Sequence, residues 1–325
     1  MPSASTLLST PAIFGLLLCA WVNTALAQPY AYITNQGSNS VSVIDIADDK
    51  VVATIPVGKG PVGVAVAGDG KAVYISNVES NSISILDTQQ NRVSGEIKLT
   101  GSPVGLVLSP DDSTLYVADW FEDQVLAIDT RDTTSRRTIL VGTAPAGMVV
   151  SKDGRQLYIA NRDSNDVAIV DTDRLQIIQH IAVGKHPYGL AISSDGAKVY
   201  AVNVYGNSVS VIDVKRSSVN ATIPVGDHPY CATVSPDGGR VYVSNTQGDS
   251  VSVIDANANR VFATIPVNNT PEGIGYSATN HKIYVASWAD DTVSVIDAVS
   301  NKPLASIPTG KQSRSFGQFI AATPP

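Results

Sequence analysis

The sequence has little cysteine and few basic residues. Cysteine occurs only at Cys19 and Cys231, so the chain has neither a disulfide framework nor the paired-cysteine spacing of zinc or haem sites. The 22 lysines and arginines are outnumbered by 29 acidic residues, and the formal net charge is -7. Since the basic residues form no cluster, we expect no binding to nucleic-acid phosphates or to an anionic membrane surface.

Motifs that mark common enzyme sites are also missing. The sequence has no Gly-x-Ser-x-Gly elbow and no glycine-rich phosphate loop that opens a helix. It has no aspartate-rich loop with calcium-binding spacing. No segment spaces its apolar residues at helical intervals, which favours an all-β fold.

Long hydrophobic runs are scarce, and the clearest one lies near the N-terminus. Residues 12–22 are apolar, and Ala25-Leu26-Ala27 follows with the small-x-small pattern of a cleavage site. The run is too short to span a bilayer comfortably. Although the leading segment lacks lysine and arginine, we predict a cleaved signal peptide at 1–27 and a periplasmic or secreted protein without membrane insertion.

The chain does contain a repeat of fixed length. Seven tyrosines and seven aspartates each recur at intervals of 42 residues without interruption. They are Tyr32, Tyr74, Tyr116, Tyr158, Tyr200, Tyr242 and Tyr284, and Asp45, Asp87, Asp129, Asp171, Asp213, Asp255 and Asp297. Such a period is typical of stacked copies of one supersecondary unit. The aspartates are expected to accept backbone N–H bonds in the following turn.

Each repeat has the pattern of four short strands. In one copy these are strand A at 62–66, strand B at 72–77, strand C at 82–87 and strand D at 93–99. A proline near the end of strand D in other copies suits an outer edge, because proline cannot donate to a ladder. The sequence therefore predicts an all-β, seven-bladed β-propeller with four antiparallel strands per blade, forming one domain over residues 28–325.

The two chain ends are predicted to complete one blade. The first repeat starts at Tyr30 with a strand B, and residues 315–320 match the strand A at 61–66 if two residues are inserted. The C-terminal strand would then join the N-terminal blade and close the ring. Since a closed ring protects its strand edges, we expect a monomer.

The repeats resemble a known family. Tyr-Ile-Thr-Asn at 32–35, Tyr-Val-Ser-Asn at 242–245, the Ser-Val-Ser-Val-Ile-Asp segments and the Ile-Pro-Val-Gly segments are similar to the YVTN-type β-propeller repeat. The resemblance extends to exported bacterial YVTN propellers, to archaeal surface-layer repeats and, more distantly, to the propeller domain of cytochrome d1 proteins. It implies an extracytoplasmic binding scaffold, and the family carries no shared catalytic motif.

Function is expected on the loops of one face, where the repeats differ. Antiparallel strands place the D-to-A connections and B-to-C loops on one side, the loop face, and the A-to-B and C-to-D turns on the other, the turn face. The first position after strand B is occupied in the seven repeats by Gln36, Val78, Trp120, Arg162, Val204, Thr246 and Trp288. The next position is occupied by Gly37, Glu79, Phe121, Asp163, Tyr205, Gln247 and Ala289. Trp120, Phe121, Arg162, Tyr205 and Trp288 are candidate ligand or partner contacts, with packing between blades as the alternative for the two tryptophans.

The D-to-A connections supply a second set of candidates. Their repeat position reads Gly60, Ser102, Ala144, His186, His228, Thr270 and Gln312, and two residues later come Val62, Val104, Ala146, Tyr188, Tyr230 and Glu272. His186, Tyr188, His228, Tyr230 and Glu272 therefore fall on three consecutive blades near the channel mouth. Three interpretations stay open: a pocket for a polar ligand or peptide, packing without a ligand, and a divalent-metal site of His186, His228 and Glu272.

Three functions are compatible with this sequence. The first is an exported, non-catalytic binding scaffold for a protein or a small polar ligand, without a cofactor. The second is a metal-assisted hydrolase or lyase, similar to lactonases with this fold, in which a divalent metal polarises a carbonyl or activates water. The third is an accessory protein of an exported redox system, which the cytochrome d1 resemblance suggests.

Overall fold

The computed structural model describes residues 30–321, and the predicted signal peptide lies outside this range. Within it the backbone forms 28 β-strands and two 3-10 helices, η1 (Gln36–Ser38) and η2 (Val204–Gly206). Among residues 30–321, no helix has the length and hydrophobicity that a membrane-spanning helix needs. The all-β prediction is confirmed.

The strands recur in the order A, B, C and D. Strands A are β4 (Pro61–Val66), β8 (Pro103–Leu108), β12 (Pro145–Val150), β16 (Pro187–Ile192), β20 (Pro229–Val234) and β24 (Pro271–Ser277). Strands B are β1 (Tyr30–Asn35), β5 (Ala72–Asn77), β9 (Thr114–Asp119), β13 (Gln156–Asn161), β17 (Lys198–Asn203), β21 (Arg240–Asn245) and β25 (Lys282–Ser287). Strands C are β2 (Ser40–Asp45), β6 (Ser82–Asp87), β10 (Gln124–Asp129), β14 (Asp166–Asp171), β18 (Ser208–Asp213), β22 (Ser250–Asp255) and β26 (Thr292–Asp297). Strands D are β3 (Lys50–Pro56), β7 (Arg92–Lys98), β11 (Arg136–Leu140), β15 (Gln176–Ala182), β19 (Ser218–Pro224), β23 (Arg260–Pro266) and β27 (Lys302–Pro308).

Consecutive strands pair antiparallel into the seven blades of a propeller. Blade 1 contains β1–β3, blade 2 contains β4–β7, and the series ends with blade 7, which contains β24–β27. Strand D exposes alternate residues at the outer edge, whereas strands A to C are mostly buried. The predicted seven-bladed architecture is confirmed.

The C-terminal segment closes the ring, as the sequence predicts. Ala31 of β1 forms an antiparallel bridge with Ile320, and Asn35 forms one with Ser313. Residues 313–321 therefore supply the inner strand of blade 1. Their central part, β28 (Phe316–Gln318), also pairs parallel with β4 of blade 2.

The repeated aspartates and tyrosines have structural roles. Asp45 Oδ1 accepts the backbone N–H of Ala47 at 2.8 Å, and equivalent bonds recur after strand C in later blades. This confirms the expected turn bonds. The tyrosines of strand B, such as Tyr158 and Tyr200, are fully buried and fill the space between neighbouring sheets.

Glycine in the inner strands is required by close contact between blades. A Cβ on Gly105 would lie 2.0 Å from Ala146 O, and one on Gly189 would lie 2.5 Å from Tyr230 O. Blade 6 departs from this pattern with Cys231, whose side chain is buried. The inner strands therefore pack backbone against backbone around the central channel.

Candidate functional site

Seven inner-strand residues, one from each blade, surround the channel mouth on the loop face. They are Val62, Val104, Ala146, Tyr188, Tyr230, Glu272 and Arg314. Arg314 belongs to this set because the bridge between Ser313 and Asn35 matches the pairing of Pro61 with Asn77 in blade 2. Arg314 is absent from the sequence-based candidates, since the match to the closing strand begins at residue 315. A step of 42 residues from Glu272 leads directly to it.

Aromatic rings fill this mouth. The centroid of the Tyr188 ring lies 4.3 Å from that of Tyr230, 4.7 Å from that of Phe316 and 5.6 Å from that of Trp120. Tyr188 is 6% exposed and Phe316 is 4% exposed. These four residues, Trp120, Tyr188, Tyr230 and Phe316, are called the aromatic plug.

Below the plug, a cavity of about 520 Å³ follows the central channel. Its lining runs from the inner-strand glycines and Phe316 to Ser109 and Pro236 in the A-to-B turns. None of the seven mouth residues contributes to this lining. The channel is therefore closed at the loop face and is reached from the turn face.

A buried ion pair lies beside the plug. Arg314 donates from Nε to Glu272 Oε2 at 2.5 Å, from Nη1 to Gln36 Oε1 at 3.0 Å and from Nη2 to Tyr230 Oη at 2.8 Å. The three acceptors belong to blades 7, 1 and 6. The side chains of Arg314 and Glu272 are 21% and 9% exposed. The guanidinium is thus fixed in orientation, and part of the Arg314 side chain keeps contact with solvent.

Burial shifts the pKa of three groups around the mouth, Glu272, Tyr188 and Cys231. Desolvation raises the pKa of Glu272, although the charge of Arg314 opposes this effect. Burial also raises the pKa of Tyr188 to about 12. It raises the pKa of the Cys231 thiol well above its usual value. Since the thiolate is the reactive form, Cys231 is not an activated nucleophile at neutral pH.

Outside the plug, planar side chains form a row across blades 4 to 6. The His186 ring lies 4.3 Å from the Tyr205 ring, which lies 5.5 Å from the His228 ring. Arg162 Nε donates to His186 Nδ1 at 3.4 Å, and the guanidinium carbon lies 4.8 Å from the centre of the Trp120 ring. These four residues, Arg162, His186, Tyr205 and His228, are called the aromatic row, in which Arg162 contributes a planar guanidinium and not a ring. The row meets the plug where Arg162 contacts Trp120.

The backbone holds both histidines on a rigid frame. His186 and His228 adopt left-handed φ values of 53° and 49° at the last residue before each inner strand. Their N–H groups donate to Asn165 Oδ1 and Asn207 Oδ1 at 2.9 and 3.0 Å. Because each asparagine lies on the preceding blade, these bonds tie neighbouring loops together.

Two predicted residues lie apart from these contacts. Phe121 is 76% exposed on the loop that also carries Trp120. Trp288 occupies the repeat position of Trp120 but lies in blade 7, where it is half-buried. Among the described residues, no ring contact joins Trp288 to the plug or the row. The other eight predicted residues gather around the mouth, and Tyr205 is 58% exposed there.

His186, His228 and Glu272 do not assemble into a shared metal site. Between residues 30 and 321, no three His, Cys, Asp or Glu side chains are close enough to hold one ion. His186 Nδ1 accepts from Arg162, His228 Nδ1 lies 2.9 Å from Asp227 Oδ1, and Glu272 pairs with Arg314. Because the three side chains form no such cluster, the arrangement does not fit the metal-site hypothesis.

Comparison of the chain with protein families is consistent with a propeller fold. A family model described as "Lactonase, 7-bladed beta-propeller" matches residues 127–223, which is less than a third of the chain. No curated protein sequence matches the chain. The YVTN-type resemblance therefore stays a prediction.

Several solved structures are similar to this one. The hydrazine synthase of Kuenenia stuttgartiensis is 22% identical, with a TM-score of 0.71 over 78% of this chain and 88% of that chain. A functionally unknown protein from Desulfotomaculum acetoxidans is 15% identical, with a TM-score of 0.78 over 90% and 99%. The dihydro-heme d1 dehydrogenase NirN is 15% identical, with a TM-score of 0.69 over 88% and 74%. At these identities the likeness concerns the fold alone.

Proposed function

We propose that this chain is an exported, non-catalytic binding β-propeller that uses its loop face. The observation that carries the proposal is the continuous set of planar side chains formed by the aromatic plug and the aromatic row. Binding residues concentrate on loops held by a rigid scaffold. Tryptophan, tyrosine and arginine are the side chains that most often dominate binding energy. Export, to the periplasm or beyond the cell, rests on the predicted signal peptide at 1–27.

The exposed rings of Phe121 and Tyr205 supply the contact surface. They stand on the B-to-C loops of blades 3 and 5, whereas Tyr188 and Phe316 of the plug are buried. A partner that covers them removes apolar area from water, which is worth roughly 25 cal/mol per Å². These two rings are therefore expected to contribute most of the apolar contact with a protein partner.

The test is capture of a partner from an envelope extract of the source organism. We expect the Phe121→Ser/Tyr205→Ser double variant to lose a partner that the unchanged protein retains. The matched control is Phe262→Ser, which removes a ring that is 47% exposed on the outer strand β23. If the double variant keeps every partner, the loop face is not the binding face.

Lactone hydrolysis is a second candidate because the family match covers residues 127–223. The matched segment contains Arg162, His186, Tyr188 and Tyr205. A metal-assisted reaction needs donor atoms gathered around one ion, whereas no three His, Cys, Asp or Glu side chains between residues 30 and 321 are close enough to hold one. Elemental analysis of untagged protein, with His186→Ala beside it, tests this candidate. One equivalent of divalent metal that disappears in the variant, together with turnover of a lactone panel, would favour the enzyme.

An accessory role in redox chemistry is the third candidate. Its support is that two structural neighbours, a hydrazine synthase and a dihydro-heme d1 dehydrogenase, are redox-related proteins. A visible absorption band that copurifies with the protein would favour this role. A colourless protein would count against a bound redox pigment.

A further inference from the structure

The channel mouth carries charges that the fold does not require. The same inner-strand position holds Val62, Val104 and Ala146 in blades 2 to 4, where apolar side chains satisfy the packing. Blades 7 and 1 instead place Glu272 and Arg314 there. A buried ion pair is often no more stabilising than apolar residues of similar volume. Packing alone therefore does not account for the pair.

Arg314 is held in an orientation suited to binding an anion. Three of its five N–H groups donate to Glu272, Gln36 and Tyr230. Because these acceptors lie on three blades, the guanidinium cannot turn away from the mouth. Among the hydrogen bonds of residues 30–321, no acceptor is bound to its other two N–H groups. The Arg314 side chain is 21% exposed, so part of it is open to a ligand at the mouth.

The surroundings of Arg314 restrict the ligand that fits. The Tyr230 ring centre lies 5.9 Å from the guanidinium carbon, and Tyr188 and Trp120 continue this aromatic wall. A planar guanidinium matches a carboxylate or a phosphate. Glu272 already offsets one positive charge, which disfavours a dianion more strongly than a monoanion. An apolar wall beside one arginine suits an acid whose remaining body is apolar.

The geometry points to a binding site at the loop-face mouth for a small monocarboxylic acid with an apolar body. Arg314 pairs with the ligand carboxylate, and Tyr230 and Trp120 contact its body. The inference rests on the proposed function, because it names a ligand class for the same face. The site lies over the channel, whereas partner capture depends on Phe121 and Tyr205 in the outer loops.

The test is a titration with phenylacetate, benzoate and hexanoate, each compared with its primary amide. Binding is followed by calorimetry and by Trp120 fluorescence in a Trp288→Phe background. We expect at least one acid to bind one-to-one and at least about tenfold more tightly than its amide. Arg314→Lys should remove most of this preference, because lysine keeps the charge but lacks the planar fork.

Further variants keep the test decisive. If Arg314→Lys does not fold, Glu272→Gln replaces it, and the uncompensated guanidinium should then bind the acids several-fold more tightly. The inference is overturned if no acid binds more tightly than its amide, or if folded Arg314→Lys retains the full preference. Phe121→Ser/Tyr205→Ser should bind the acids unchanged. Loss of partner capture and loss of acid binding are thus separate outcomes.

Discussion

Glu272 and Arg314 form an ion pair between blades 7 and 1, with Oε2 and Nε 2.5 Å apart. Arg314 lies in the segment that closes the ring, and its guanidinium also binds Tyr230 of the aromatic plug. The closure of the propeller and the loop-face mouth therefore share one residue. A change in the closing segment is expected to affect both stability and binding.

Phe319→Ala is expected to destabilise the ring strongly. Phe319 is 1% exposed and packs in the core that joins the closing segment to blade 1. Truncation of a buried phenylalanine costs about 3–5 kcal/mol in free energy of unfolding. Phe262→Ala, at a half-exposed site on β23, is the control and should cost far less. Equal denaturation midpoints for the two variants would contradict the role assigned to the closing segment.

The fold could be predicted because its signals are local and repeated. The 42-residue spacing of tyrosine and aspartate gives the number of blades, and the pattern at 315–320 gives the closure. The site was only partly predictable, because contacts such as that between Tyr188 and Phe316 join distant parts of the chain. Trp120 and Trp288 share a repeat position, yet their neighbouring blades differ, so only Trp120 joins the plug.

Gly105→Ala is expected to destabilise the propeller. The new Cβ would lie 2.0 Å from Ala146 O, so the inner strands of blades 3 and 4 must separate. Overpacking of this kind costs about 1–3 kcal/mol or more. Gly95→Ala is the control, because its Cβ would lie 3.5 Å from Ile85 Cδ1, an ordinary contact. Chemical denaturation should separate the two variants, and equal stabilities would refute the close contact between blades.

Acid is expected to weaken the ring through the aspartates of the A-to-B turns. Hydrogen bonds from Ser109 and Ser113 lower the pKa of Asp111 to about 2. Similar bonds lower the pKa of Asp153, Asp195 and Asp237. The unfolded value is about 3.9, so the unfolded chain binds more protons as the pH falls. This stabilisation is present above about pH 4 and is lost as the pH falls to about 2.

Urea unfolding at a series of pH values measures this loss. The Asp111→Asn/Asp153→Asn/Asp195→Asn variant should show a shallower dependence of stability on pH between about 4 and 2. Asparagine keeps an acceptor for the turn while removing the titrating group. An unchanged dependence in the triple variant would show that other groups cause the acid sensitivity.

Export is expected to remove residues 1–27. Mass spectrometry of protein recovered from the envelope or the medium should then give an N-terminus at Gln28. Ala27→Arg should leave the precursor uncleaved, because the cleavage site needs small residues. Envelope or medium protein that still begins at Met1 would contradict the signal-peptide prediction.

Site-specific photo-crosslinking in cells can show whether the loop face binds a partner. A photoreactive phenylalanine analogue is placed at Phe121, at Tyr205 and, as the control, at Phe262. Binding at the loop face should give the same crosslinked partner from positions 121 and 205 and none from position 262. Crosslinks confined to position 262, or none from either loop-face position, would contradict it.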